Sequence, residues 1–232
     1  SELILANRDE LALLETLNVG KPIANSYNGD VPSAANCIAW YAEAIDKVYG
    51  EVAATSHDMT TLIVREPLGV VAAVVPWNYP LSMAAWKLGP ALATGNSVVL
   101  KPAEQSPFTA LKIAELAIEA GIPRGVLNVV PGLGHIAGKA LGLHMDVDCV
   151  GFTGSTEVGR YFMQYSGQSN IKRIGLELGG KSPQVVLADC EDLDFAAQTI
   201  AAGIFGNSGQ VCNAGSRLIV EEPIRDRLLE AL

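Results

Sequence analysis

Five short apolar runs, spaced along the chain and separated by stretches of helical character, limit the possible folds more than any other feature. They are GVVAAVVP (69–76), NSVVLK (96–101), VLNVV (126–130), CVGF (149–152) and IKRIGLEL (171–178). Each is short and rich in Val, Ile or Leu, as strands are. Helical patterns fill 80–94, the stretch from Ser106 to about Ala120, and the segments after PGLGHIAG and TGSTEVG. Strands that alternate with helices predict an α/β fold around a parallel, doubly wound, five-stranded sheet. Ser106-Pro107 suits an N-cap followed by a first helical proline, and Gly121 a helix stop.

Upstream, apolar residues at Leu3, Ile4, Leu11, Leu14 and Leu17 predict one helix over 1–17, ended by Gly20-Lys21-Pro22. A second helix is expected over 33–48. Residues 51–67, enriched in Thr and Val, read as an extended hairpin or arm.

Composition removes several function classes. The net charge of −9 disfavours a nucleic-acid binder, which needs a basic face. Cys37, Cys149, Cys190 and Cys212 form no CxxC pair, and His57, His135 and His144 are scattered, so neither a disulfide framework nor a metal site is expected. No apolar run reaches membrane-spanning length and no leader pattern is visible, which predicts a cytoplasmic protein without membrane partners.

In doubly wound sheets ligands bind beyond the carboxyl ends of the strands. The turns there are Pro76-Trp77-Asn78-Tyr79-Pro80, Lys101-Pro102-Ala103-Glu104, Pro131-Gly132-Leu133-Gly134, Thr153-Gly154-Ser155 leading to Gly159, and Glu177-Leu178-Gly179. Gly154 permits backbone approach to a phosphate, Ser155 offers a hydroxyl at a helix start, and Glu104 beside Lys101 suits ribose hydroxyls. Together the turns suggest a dinucleotide rim, although G-x-G-x-x-G does not follow the first strand.

Cys212 stands apart from the other thiols. Gly209, Gln210, Asn213 and Gly215 surround it, a polar setting that leaves a thiol accessible and brings backbone N–H groups near. Glu177, between Leu176 and Leu178, is either paired with a lysine or held in an apolar pocket as a general base for water. Asn78 donates an amide hydrogen bond without charge. A thiol, an amide donor, a carboxylate and a dinucleotide rim suggest oxidation of a carbonyl through a covalent adduct.

The segments PWNYP, KPAEQSP, PGLGHIAG, GFTGSTEVG, LELGGKSP and FGNSGQVCNAGSR, in this order, resemble the NAD(P)-dependent aldehyde dehydrogenase superfamily. ELALLETLNVGKPI and CIAWYAEAIDKVYGE look most like bacterial 4-(γ-glutamylamino)butanal and betaine-aldehyde-like enzymes. The resemblance implies a Rossmann-like NAD-binding domain over 1–49 and 68–178, an oligomerisation hairpin over 50–67, and a partial second α/β catalytic domain over 179–232. It makes Cys212 the nucleophile, Asn78 and the Cys212 N–H the oxyanion donors, and Glu177 the base that hydrolyses a thioester. Lys101 and Glu104 would hold the adenosine ribose, with Glu104 repelling a 2′-phosphate and so favouring NAD over NADP. Ser155, with Gly154 and Gly159, would meet the pyrophosphate. Trp77, Gly134 and Gly179 complete the cofactor set, and Lys87 matches a lysine position that would relay protons.

The implied substrate is a small aldehyde, either an aminoaldehyde or γ-glutamyl-aminobutyraldehyde, and the implied parent a homodimer or homotetramer. Family members continue well past the cysteine, whereas this chain ends at Glu230-Ala231-Leu232, so a piece of a longer protein is expected. Two alternatives remain: an NAD-binding piece without catalysis, and a CoA-acylating semialdehyde dehydrogenase, which the presence of Glu177 disfavours.

Overall fold

The computed structural model describes residues 1–232, which divide into two compact units, Ser1–Glu177 and Leu178–Leu232. In the first unit the chain opens with α1 (Glu2–Ala6) and α2 (Arg8–Val19). The single helix expected over 1–17 is therefore broken at Asn7, whose φ of −101° and ψ of 25° leave the helical region. The Leu3 carbonyl accepts from both the Asn7 backbone N–H, at 3.0 Å, and the Asn7 side-chain amide, at 2.8 Å, which closes the end of α1. Gly20, at φ 83°, stops α2 as expected.

The second expected helix starts earlier than its apolar pattern. A short turn, α3 (Ile23–Asn25), runs through a π-helical segment, Ser26–Asp30, into α4 (Val31–Ala44). Strands β1 (Glu51–Ala53) and β2 (Thr61–Ile63) pair antiparallel with Val52 opposite Leu62, so the expected hairpin is present. Its side chains face outward: Val52 is 72% and Leu62 64% exposed.

The sheet follows. Strands β3 (Val70–Val74), β4 (Ser97–Lys101), β5 (Leu127–Val129), β6 (Cys149–Gly154) and β7 (Arg173–Leu178) lie in the order β5-β4-β3-β6-β7. The fold class read from the sequence is correct: β3 pairs in parallel with both β4 and β6, and β4 with β5. Helices α5 (Pro80–Ala93), α6 (Phe108–Glu119), α7 (Lys139–Leu143) and α8 (Thr156–Gly167) make the crossovers. The central strand β3 is sealed from water, since Ala72 and Ala73 have no exposed surface. One core joins α1, α2, α4, α5 and α6 to the Val71, Ala73, Val98 and Leu100 face. On the opposite face Phe162 of α8 stacks against Phe152 of β6, with ring centroids 5.0 Å apart.

Gly121, at φ 85°, follows α6 as the sequence predicts, but the start of that helix does not. Pro107 occupies the N-cap position, and the buried Ser106 hydroxyl makes no hydrogen bond. The cap comes from α2 instead: the Phe108 N–H donates to Asn18 Oδ1 at 3.0 Å.

The second unit is a small β-α-β motif. Strand β8 (Pro183–Val186) pairs in parallel with β9 (Arg217–Val220), and α9 (Leu193–Phe205) connects them. Val186, Ala197 and Ile200 form its core with Ile224 and Leu228, the latter from α10 (Arg225–Ala231).

Candidate active site

The strand order reverses between β3 and β6, the position where doubly wound sheets open a crevice at their carboxyl ends. A cleft of about 210 Å³ lies there, lined by Trp77, Lys101, Glu104, Gly134, Gly154 and Ser155 among others. Six of the eight residues expected to hold a cofactor in the sequence reading thus share one cavity. Gly159 is buried within α8, where its N–H donates to the Ser155 carbonyl at 3.0 Å. Gly179 lies in the second unit, past the end of β7.

Within the cleft the polar groups are already organised. The Lys101 side chain is 3% exposed, and its ammonium donates to Glu104 Oε2 at 3.0 Å. Burial raises the Glu104 pKa, but its own N–H, the Lys101 ammonium and the Gly134 N–H outweigh burial and hold the carboxyl below its ordinary value. Ser155 is the N-cap of α8: its Oγ accepts from the Val158 N–H at 3.2 Å, which leaves the hydroxyl proton for another acceptor. A Cβ at Gly154 would stand 2.6 Å from Cζ of Phe152, so the backbone there lies against the ring with no room for a side chain. The Thr153 hydroxyl, also at this cleft, is buried without a partner. A glycine turn at a helix start, an orphaned hydroxyl and a carboxylate braced by a lysine fit a dinucleotide's phosphates and ribose.

Asn78 is half-buried in the turn between β3 and α5, next to Trp77, which is 41% exposed. Glu177 is exposed near the end of β7. Alternation along β7 turns Leu176 and Leu178 to the face opposite Glu177, so these two leucines do not enclose its carboxylate. The lysine alternative is nearer the structure. The half-buried Lys87 of α5 has its pKa lowered by burial and raised in part by the charge of Glu177. Both line a cavity with Cys37, Tyr41 and Trp86. The Lys87 stem crosses β6 at Gly151, where an added Cβ would come within 3.3 Å of Lys87 Cδ.

Cys212 belongs to the second unit, in the exposed loop between α9 and β9. Three consecutive residues upstream take left-handed backbone: Asn207 at φ 49°, Ser208 at 57° and Gly209 at 71°. For Ser208 this conformation is strained. Gln184 of β8 ties the loop down, its amide donating to the Gly215 carbonyl at 2.8 Å and the Ile200 carbonyl at 3.2 Å. A Cβ at Gly215 would come within 2.4 Å of that carboxamide.

No group of three or more His, Cys, Asp or Glu side chains is placed to hold a metal, and no helix is long and apolar enough to cross a membrane.

The aldehyde dehydrogenase family matches residues 1–232. This chain belongs to that family. The NADP/NAD-dependent aldehyde dehydrogenase PuuC of Escherichia coli (strain K12) is 60% identical over 100% of this chain and 47% of that protein. The crystal structure of γ-glutamyl-γ-aminobutyraldehyde dehydrogenase from Burkholderia cenocepacia J2315 is 63% identical, with a TM-score of 0.96 over 100% of this chain and 47% of that one. The P. syringae AldA indole-3-acetaldehyde dehydrogenase mutant in complex with NAD+ and IAA is 62% identical, with a TM-score of 0.96 over 99% and 46% of the respective chains. The chain spans about half the length of these relatives.

As an aldehyde dehydrogenase chain it carries site-shaping residues that its sequence did not single out. Gly151 admits the Lys87 stem, Thr153 lines the cleft with its hydroxyl buried and unpaired, and Gln184 braces the cysteine loop. The turn GFTGS holds Thr153 in plain sight, but only burial shows its hydroxyl unpaired. Gln184 sits 28 residues before Cys212 in a run that otherwise reads as ordinary strand.

Proposed function

We propose that this chain supplies the NAD-binding domain (1–49 and 68–178), the oligomerisation hairpin (50–67) and part of the catalytic domain (179–232) of an NAD-dependent aldehyde dehydrogenase. The observation that carries the reading is the braced rim: Lys101, Glu104, Gly134, Gly154 and Ser155 line one cleft where the strand order reverses. The substrate class is a short aldehyde bearing an amino or amide function. The similarity to PuuC and to γ-glutamyl-γ-aminobutyraldehyde dehydrogenase supports that choice.

In this reading the Cys212 sulfur adds to the aldehyde carbon, and the carbonyl oxygen takes negative charge. The Asn78 amide and the Cys212 N–H donate to that oxygen. NAD, when bound, supplies the two-electron acceptor. Lys101 and Glu104 position its adenosine ribose, Ser155 donates to a phosphate oxygen, and Gly159 and Gly179 give the backbone room. Cys212 then holds the acyl group as a thioester. Glu177 takes a proton from water, which attacks the thioester carbon and releases the acid and the thiol. Lys87, with its proton affinity lowered by burial, passes that proton on from Glu177. The exposed Val52 and Leu62 of the hairpin suit a second subunit, in keeping with a homodimeric or homotetrameric parent.

The deciding experiment replaces Cys212 by Ala in the full-length protein and follows NADH formation with an aminoaldehyde. The expected result is loss of turnover by at least about a thousandfold with NAD binding retained. Retained turnover would remove Cys212 as the nucleophile. Turnover that requires coenzyme A and is indifferent to Glu177→Gln would favour the CoA-acylating alternative.

A further inference from the structure

Beneath the Asn78 turn lies a buried ionic cluster that the proposed chemistry leaves unused. Glu15 of α2 has no exposed surface, Lys21 is 6% exposed and Asp30 8%. The Lys21 ammonium donates to Asp30 Oδ2 at 2.8 Å and stands 3.9 Å from Glu15 Oε1. It also sits 4.0 Å from the centroid of the Tyr79 ring. Both Glu15 oxygens accept from the Leu81 N–H, at 3.2 and 3.4 Å.

That amide has particular weight. Tyr79 is the N-cap of α5 but supplies no side-chain cap, and Pro80 brings no N–H, so Leu81 offers the first free amide of the helix. Glu15 therefore caps α5 from 66 residues away. Asn18, one helical turn further along α2, caps α6 through the Phe108 N–H. One face of α2 thus holds the starts of two helices that follow strands at the ligand-binding rim. Burying three charged groups is costly, and hydrophobic replacements are often as stable. What this cluster supplies is placement.

We propose that Glu15 is a positioning residue for aldehyde oxidation, holding Leu81 from below while Lys21 supports Tyr79, and thereby fixing where Asn78 is presented. The inference rests on the reading of Asn78 as an oxyanion donor. It also ties the turn to protonation. Burial raises the Glu15 pKa to about 7, against the lowering pull of Lys21 and the Leu81 N–H and with a further push from Asp30. Lys21 and Asp30 are the charged groups facing Glu15. Tyr79 faces Lys21, and the Glu10–Lys112–Glu115 set lies further along the α2–α6 contact. As pH rises through about 7 the carboxylate forms, and its hydrogen bond to the helix start becomes charge-assisted. The sign for stability is opposite. The contribution of neutral Glu15 is complete below the unfolded value of 4.5 and is lost as pH rises through about 7.

Two measurements test this. In this chain, with Trp40 and Trp86 replaced by Phe, Trp77 reports on the turn. Its fluorescence should titrate near neutral pH, and Glu15→Gln should remove that titration while keeping an acceptor for Leu81. In the full-length protein, Glu15→Leu should lower kcat about tenfold or more with KM for NAD unchanged, and Glu15→Gln should restore most of it. A Trp77 titration that survives Glu15→Gln overturns the inference, as does an unaltered kcat in folded Glu15→Leu. If Glu15→Leu does not fold, the Trp77 titration decides. If the full-length wild type oxidises no aldehyde, the proposed function fails, and Trp77 still judges whether Glu15 holds the turn.

Discussion

The proposed cofactor rim and the cysteine loop are held by opposite routes. The rim is attached to the ends of sheet strands, and its groups are braced by one another: buried Lys101 by Glu104, Glu104 by Gly134, and Ser155 by the helix it caps. The cysteine loop has no such footing. It crosses from α9 to β9 through three left-handed residues, and the Gln184 amide and a Gly215–Gly203 backbone bond tie its far end to the unit. A site for binding is stable at rest because topology brings its parts together. A loop that presents the proposed nucleophile stores strain, and the structure around it has to hold that strain.

The largest expected effect tests how far the rim depends on close packing. In Gly154→Ala the new methyl would stand 2.6 Å from Phe152, whose ring packs against Phe162. Overpacking of this kind costs about 1–3 kcal/mol, and the turn moves to relieve it. Calorimetric titration should show NAD affinity lower by about a hundredfold, equivalent to about 2.8 kcal/mol. Undiminished affinity would mean that the Gly154 turn does not contact the dinucleotide and that close packing there serves the fold alone.

A somewhat smaller effect probes the tether of the thiol loop. Gln184→Ala deletes two hydrogen bonds, to the Gly215 and Ile200 carbonyls, at about 1 kcal/mol each. Chemical denaturation should show a loss of about 2 kcal/mol confined to the second unit. The Cys212 thiol should react faster with a maleimide as the loop loosens, while NAD affinity stays as it was. Unchanged thiol reactivity would show that the left-handed run, not Gln184, sets the exposure of Cys212.

These differences also explain what the sequence made readable. The central strands β3 and β4 were legible because both their faces are covered, so Val70 to Val75 and Val98 to Leu100 read as continuous apolar runs. The rim followed from them, since turn residues are fixed by where strands end. Capping was misread because Ser106-Pro107 satisfies every local rule, yet the acceptor that serves α6 is Asn18, on another helix. The break at Asn7 was invisible to apolar spacing, which continues in phase across it. LELGG could not decide between the two settings offered for Glu177, because alternate residues of a strand face opposite ways. The left-handed Asn207 and Ser208 have no counterpart in composition: asparagine tolerates that conformation, but serine seldom adopts it.

The smallest expected effect concerns cofactor choice and returns to the bracing itself. Glu104 is 45% exposed at its side chain while its partner Lys101 is almost wholly buried, so the carboxylate is the more accessible part of the pair. A ribose with free hydroxyls can donate to it; a 2′-phosphate would be repelled by its charge. Glu104→Gln removes the charge and keeps an acceptor oxygen, but leaves the Lys101 ammonium without its counter-ion and free to attract a phosphate. The ratio of NAD to NADP affinity should therefore fall by about tenfold, or about 1.4 kcal/mol, mainly through tighter NADP binding. A ratio that falls only because NAD binds more weakly would assign Glu104 to ribose recognition alone and leave discrimination to Lys101. An unchanged ratio would show that the pair braces the rim without selecting the cofactor.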